Sequence, residues 1–311
     1  MKIVFMGTPG AAVESLRQIL SDGHEIAAVY TQPDKPAGRG NKLTASPVKE
    51  FALQNNLQVF QPTRIKTPEA LEIFKSHNAE VAVVVAYGRI LPPAFLEAFL
   101  KGAINVHFSL LPKYRGAAPV NWAIVNGEKK TGVTTMRMDA GLDTGDILRQ
   151  REIEIGENEN AVGLMSKLSM LGADLLAETL AGFDELTPQP QDNSEATFAP
   201  LMKKEDGKID WEMTAAEISN RIRGFQPFPT SYTFYQGKKL TIWKAKEMQN
   251  VVCKVQNSGG EVIEAKGDDL VIGGGNQTFL QILELQLEGK KRMAARDFLN
   301  GIKLAIGEKL G

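Results

Sequence analysis

Cysteine is almost missing from this chain. Its 311 residues include only Cys253. One thiol excludes an internal disulfide and a metal site built on several cysteines; a small buried hydrophobe is its expected role. Histidine is scarce too. His24 and His77 stand in the surface-like contexts SDGHEI and KSHNAE, which leaves His107 and makes a zinc site an unexpected feature. There is no excess of one charge: 36 Lys and Arg meet 37 Asp and Glu, a net −1. A global attraction to nucleic acid or acidic lipid is thereby excluded, and such a partner would need a local patch. Long apolar runs are lacking as well. The longest, Val81 to Tyr87, is far too short to cross a bilayer, and MKIVFMGTPG lacks the apolar length of a signal peptide. A cytoplasmic protein without a membrane partner, repeats or low-complexity tracts is expected.

The familiar cofactor fingerprints are absent. Gly7-Thr8-Pro9-Gly10 follows the first apolar run, but G-x-G-x-x-G and the Walker pattern do not occur, which argues against a dinucleotide or a P-loop phosphate site. No serine sits in a G-x-S-x-G elbow. Asp139, Asp143 and Asp146 surround two glycines without EF-hand spacing, and carboxylates in such turns often cap backbone N–H groups.

What is present is an ordinary globular composition, 43% hydrophobic and 23% charged, and enough length for two domains. KIVFM, EIAAVY, AEVAVVVAY and GAINVH read as strands, with a helix over AAVESLRQILSDG. Continuous Val and Ile runs separated by helices indicate a mostly parallel sheet covered on both faces, a doubly wound, Rossmann-like α/β domain over residues 1–183. TGVTTMRMD and DILRQREIEI read as two strands closing one edge, and NAVGLMSKLSMLGADLLAETLAGF as the clearest helix. Residues 184–207, with three prolines and no periodicity, read as a linker. From Lys208 a helix over Ala215–Gly224 precedes short strands (TSYTFY, KLTIWKA, GEVIEA, DLVIGGG, TFLQILELQ), which predicts a small, OB-like β-barrel over 208–311. That region holds 15 Lys and Arg against 12 Asp and Glu, a net +3, leaving −4 for residues 1–207.

The residues with chemical promise lie in GAINVHFSLLPKYRGAAPVNWA, residues 102–123. Asn105 and His107 are two apart at the end of a predicted strand, so both side chains share one face. Ligands of open α/β sheets bind outside the carboxyl ends of the strands. A structural histidine beside a turn-forming asparagine fits the position equally well.

INVHFSLLPKYRGAAP, followed by TGVTTMRMDAGLDTGDIL, resembles the folate-dependent formyltransferase family. VYTQPDKPAGRGNKLTASPVK, residues 29–49, is similar to the tRNA-binding loop of the members that act on methionyl-initiator tRNA, and the similarity extends through FPTSYT and KLTIWKA into the C-terminal region. The resemblance implies transfer of the formyl group of 10-formyltetrahydrofolate to the α-amine of methionyl-initiator tRNA, for translation initiation. It implies Asn105, His107 and Asp143 as the catalytic trio. It implies Arg89, Ile90, Leu91 and the segment Ser109, Leu110, Leu111 and Pro112 as folate-binding, Lys35, Arg39 and Lys42 as tRNA-binding, and a C-terminal domain that binds tRNA. No metal is expected, and the chain is expected to act as a monomer. Phe108 departs from the family, which usually has a smaller residue there; it is expected to tighten the site without touching the motif.

Such a transfer passes through a tetrahedral species carrying an oxyanion, so the site must donate hydrogen bonds where that charge develops. Asn105 can donate through its amide and His107 can donate or carry a proton. Asp143, if it contacts His107, would orient the ring. The attacking amine must be neutral, and a free α-amine titrates near ~7.7. The loop DKPAGRGNK and the segment GKKRMAARDF, residues 289–298, offer local cations for a polyanion. Rival readings are formyl transfer to a nucleotide sugar or glycinamide ribonucleotide, hydrolysis of 10-formyltetrahydrofolate, and a non-enzymatic RNA-binding module. The last has no use for the Asn-His-Asp set.

Overall fold

The first residues show how this chain places its central strand. Ile3, Val4, Phe5 and Met6 are all fully buried, which requires a strand covered on both faces. This strand, β1 (Lys2–Gly7), pairs in parallel with β2 (Glu25–Tyr30) and β4 (Val81–Val85). β3 (Val59–Phe60) continues the sheet beyond β2, and β5 (Ala103–His107) beyond β4, both in parallel. β6 (Lys130–Arg137) and β7 (Ile147–Glu154) then close the edge as antiparallel strands. The spatial order is β3-β2-β1-β4-β5-β6-β7, so the strand order reverses between β1 and β4, as in doubly wound sheets. The structure is a computed structural model that describes residues 1–37, 42–248 and 259–311. Arg39 and Cys253 lie outside the described residues.

Local chemistry explains the helices. α1 (Val13–Ser21) follows a 3-10 turn over Gly10–Ala12 and ends where Gly23 takes a left-handed φ of 76°. α2 (Pro47–Gln54) and α3 (Pro68–Ser76) start on the same device: Ser46 Oγ and Thr67 Oγ1 accept from the third helical N–H, with proline at the first position. α4 (Pro93–Leu96) is a single turn and α5 (Pro119–Val125) about two. α6 (Ala161–Ala181) is the long helix expected from the sequence, and Val106 and Phe108 meet it at Gly172. Phe108 therefore faces α6. His77 is half-buried beneath Tyr30 and Phe60, not on the surface, with Tyr30 Oη 2.9 Å from its Nε2.

By its internal contacts the chain divides into two units. One comprises Met1–Pro119, Lys130–Glu154 and Met165–Ala199; the other Val120–Lys129, Ile155–Leu164 and Pro200–Gly311. The second contains α7 (Ala215–Gly224), whose Thr214 and Glu217 form a reciprocal capping box. It also contains the antiparallel strands β8 (Ser231–Tyr235), β9 (Lys238–Glu247), β10 (Val262–Lys266), β11 (Asp269–Gly273), β12 (Phe279–Leu287) and β13 (Met293–Ala294). Among the described residues these run in the order β8-β9-β12-β11-β10, with β13 also on β12. Ile218 and Ile222 of α7 share a core with Leu240, Ile242 and Leu285 of this sheet. α8 (Ala295–Gly301) adds Phe298 to it. Among the described residues no helix is long and apolar enough to cross a membrane.

Candidate active site

β5 sets the first two groups. Val106 points toward α6, so the period of two turns Asn105 and His107 to the opposite face. Both are buried, His107 to 5% exposure. Among the described residues nothing hydrogen-bonds the Asn105 amide, so its donors are free for a ligand.

Asp143 reaches this face by a detour. Met138 N–H donates to Ala103 O at 2.8 Å, so the chain leaves β6 beside the start of β5. Asp139 then ties a compact loop, its Oδ1 accepting from Gly141 N–H at 3.0 Å and from Thr144 Oγ1 at 2.7 Å. At Gly145 a Cβ would lie 1.7 Å from Arg137 O, so only glycine allows the loop to close this tightly. Asp143 itself sits at φ 52°, the left-handed region that non-glycine residues seldom take. Its Oδ2 accepts from Gly116 N–H at 2.8 Å and lies 3.8 Å from His107 Nδ1. That separation is too long for a hydrogen bond and makes an ion pair only when the ring is protonated. The ring is oriented instead by the Tyr114 carbonyl, which takes His107 Nε2–H at 2.9 Å. The bond assigns the proton of the neutral ring to Nε2 and leaves Nδ1 facing Asp143.

The sequence-predicted folate residues fall in two places. Ile90 is 77% exposed and lines a cleft of 630 Å³ with Arg64, Ile65, Lys66, Thr67 and Arg89. An adjoining cavity of 470 Å³ includes Leu91, Pro92, Phe95 and Ala140 of the Asp143 loop. Arg89 is fixed by Nε on Gln32 Oε1 (3.1 Å) and Nη1 on Thr63 O (2.8 Å). Ser109, Leu110, Leu111 and Pro112 line neither cavity. Ser109 is fully buried, with its hydroxyl on Lys113 O at 2.6 Å. Leu110 lies against Gly132, Leu111 N–H donates to Thr134 Oγ1 at 3.1 Å, and Gln150 Nε2 donates to Leu111 O at 2.7 Å. Lys35 and Lys42 are exposed on a two-stranded ribbon, Lys35–Ala37 against Lys42–Thr44. Asp34 anchors its base on Lys49 and Gln61, each at 2.7 Å, and Lys49 first, then Gln61, holds the Asp34 carboxyl below the usual range.

The formyl transferase family model matches residues 1–180, and the model for the formyl transferase C-terminal domain matches residues 201–303. The chain belongs to the formyl transferase family. A protein of Solibacter usitatus named methionyl-tRNA formyltransferase is 50% identical over 313 aligned positions, covering 100% of this chain and 99% of its own. One of the same name from Caldanaerobacter subterraneus subsp. tengcongensis is 51% identical over 310 positions, covering 99% of each. Among solved structures, an N-formyltransferase from Helicobacter canadensis in complex with folinic acid and dTDP-3-aminofucose matches with a TM-score of 0.65, covering 91% of this chain and 98% of that one. At 22% identity this second likeness is one of fold.

In this formyl transferase the bonds that hold His107 and Asp143 come from residues 114–116, inside the stretch the sequence singles out, and from residues 191–197, which it does not. Tyr114 (φ 60°) offers its carbonyl to His107, and Gly116 (φ 119°) its N–H to Asp143. Arg115–Gly116 pairs in parallel with Phe198–Ala199, and Thr197 takes the N–H groups of Tyr114 (2.9 Å, through Oγ1) and Arg115 (2.9 Å, through its carbonyl). Arg115 is 4% exposed, with its guanidinium on Gln191 and Asn193. The composition of residues 184–207 carries no trace of these bonds. An arginine in a turn close after the His is the one signal the sequence holds.

Proposed function

We propose that this chain transfers the formyl group of 10-formyltetrahydrofolate to the α-amino group of methionyl-initiator tRNA, in the cytoplasm. The reading is carried by the open Asn105 amide on the same strand face as His107, whose Nδ1 lies 3.8 Å from Asp143 Oδ2, in a chain half identical along its whole length to proteins named methionyl-tRNA formyltransferase. The neutral amine attacks the formyl carbon, forming a C–N bond. The carbonyl oxygen takes up negative charge, which the Asn105 amide stabilises. The bond from that carbon to N10 of the folate then breaks, and the proton lost by the amine ends on N10. His107 Nδ1 faces this exchange and can carry the proton, while Asp143 balances the charge the ring acquires. Tyr114 O keeps the ring from turning away.

In the same reading Arg89, Ile90 and Leu91 bind the donor along their cleft. Ser109, Leu110, Leu111 and Pro112 act on it as the neighbouring loop, held rigid by Thr134 and Gln150. Residues 1–183 form the catalytic domain. Residues 208–311, after the 184–207 segment, act as an OB-like platform for tRNA, together with Lys35, Arg39 and Lys42. Of the four cations in residues 289–298, Arg292 pairs with Glu284 and Arg296 with Asp268. The exposed Lys290 and Lys291 therefore supply the attraction to phosphate. The test is a transfer assay with purified protein, methionyl-initiator tRNA and 10-formyltetrahydrofolate. Formylmethionyl-tRNA is the expected product; its absence, with formylation of a nucleotide sugar or free formate released instead, would refute the assignment.

A further inference from the structure

We infer that Gln191 is a positioning residue of this reaction, holding Asp143 in place through its main chain, and that buried Arg115 fixes the direction in which Gln191 acts. The inference rests on the role of Asp143 proposed above. Asp143 occupies a left-handed conformation that is costly for a residue with a side chain and persists only where its surroundings impose it. Gly116 N–H secures the carboxylate. The main chain is secured by Gln191, whose Nε2 donates to Asp143 O at 2.9 Å and to Gly145 O at 2.7 Å. Both donors of one amide are thus spent on one turn.

The amide oxygen is taken by Arg115, through Nε at 3.1 Å and Nη2 at 2.7 Å. A guanidinium can only donate and a carbonyl can only accept, so an inverted amide would face donors with donors and acceptors with acceptors. The arrangement therefore has one orientation. Arg115 meets only the neutral amides of Gln191 and Asn193 among the described residues. A cation buried among neutral partners is an expensive way to add stability, and orienting Gln191 gives it a purpose. The set of hydrogen bonds closes on itself, because Gly116, which holds the Asp143 carboxylate, is the next residue after Arg115.

Gln191→Glu tests this in the full-length protein. It keeps the shape and the oxygen that Arg115 needs, and removes both donors. A misplacement of about 1 Å can cost about 10²-fold in rate, so kcat should fall about 30- to 100-fold with KM for both substrates within about threefold. In an Asp143→Asn background the same substitution should cost less than about threefold, since its target is already gone. The inference is overturned by a folded Gln191→Glu protein with kcat within about threefold of wild type, by an undiminished loss in the Asp143→Asn background, or by a Gln191→Glu protein that does not fold, which would make the residue a structural support. An unchanged kcat in Asp143→Asn alone would remove both this inference and the reading beneath it. A large Asp143→Asn effect beside a silent Gln191→Glu would remove the inference only.

Discussion

Gln191 Nε2 lies 2.9 Å from the main-chain carbonyl of Asp143, across 48 residues of sequence. The carboxylate of that aspartate is held by Gly116, and the ring it faces by the carbonyl of Tyr114. The His107–Asp143 pair is thus set by two segments, residues 114–116 and Gln191, and this arrangement makes expectations that can be measured.

In the proposed reaction His107 carries the proton, so His107→Ala should abolish most of kcat while the protein stays folded. Losing one group of this kind costs ~10²–10³-fold. Single-turnover rates beside a circular dichroism spectrum measure it, and turnover near the wild-type rate would exclude the role. Asp143→Asn should lower kcat strongly with little change in folate affinity.

Gly116 combines φ 119° with a neighbour that leaves no room: a Cβ would lie 2.8 Å from Ala199 O. Gly116→Ala should therefore push Arg115–Gly116 away from Phe198–Ala199 and shift the N–H that holds Asp143. A stability loss of about 1–3 kcal/mol is expected, together with a kcat loss larger than that instability explains. Denaturant melts and kinetics on the same preparation separate the two, and unchanged kcat would release Gly116 from the site.

The ribbon makes a prediction about salt. Lys35 and Lys42 are exposed on it, and Arg39 belongs to the same basic stretch of sequence. Replacing any of them by Ala should weaken use of methionyl-tRNA. The slope of log affinity against log salt should fall by about 1 for each phosphate that the variant no longer neutralises. Folate affinity should not move. A kcat/KM series across salt concentrations decides it, and an unchanged slope in all three variants would leave RNA recognition to the C-terminal sheet.

Acid sensitivity follows from two histidines. Burial first, then Lys2, lowers the His77 pKa below 6.5. Burial first, then the N-terminal amine, does the same for His24. As pH falls the unfolded chain binds these protons before the folded one does, so this stability is fully present above pH 6.5 and is lost as pH falls through the folded-state values. Tm should decline as pH falls below about 6.5. His77→Gln, which can still accept from Tyr30, should flatten part of the decline. A profile identical to that of the wild type would mean that His77 titrates alike in both states.

Much of this architecture is local and could be read directly. Val81–Val85 is an unbroken β-branched and alanine run because both its faces are covered. Asn105 and His107 share a face by strand period alone. The edge strands over 130–137 and 147–154, and the helix over 215–224, depend likewise on near neighbours. The ribbon at Lys35–Thr44 and the short helices α2, α3 and α5 were less legible, since each is brief and takes its stability from packing. The catalytic geometry was not local at all. Motif resemblance marked Asp143, but only the folded chain brings it to His107, from a loop that leaves the sheet at the opposite end of β5. Residues 184–207 have the composition of a linker, and composition reports how a segment behaves without partners. Gln191 and Thr197 find theirs on Asp143, Arg115 and Tyr114, and hydrogen bonds spanning 48 to 83 residues leave no periodicity in a sequence. The local code decides which segments become strands and helices. The burial of Arg115 beside two neutral amides, and the strained turn at Asp143 that one of those amides holds, exist only once the sheet has brought them together.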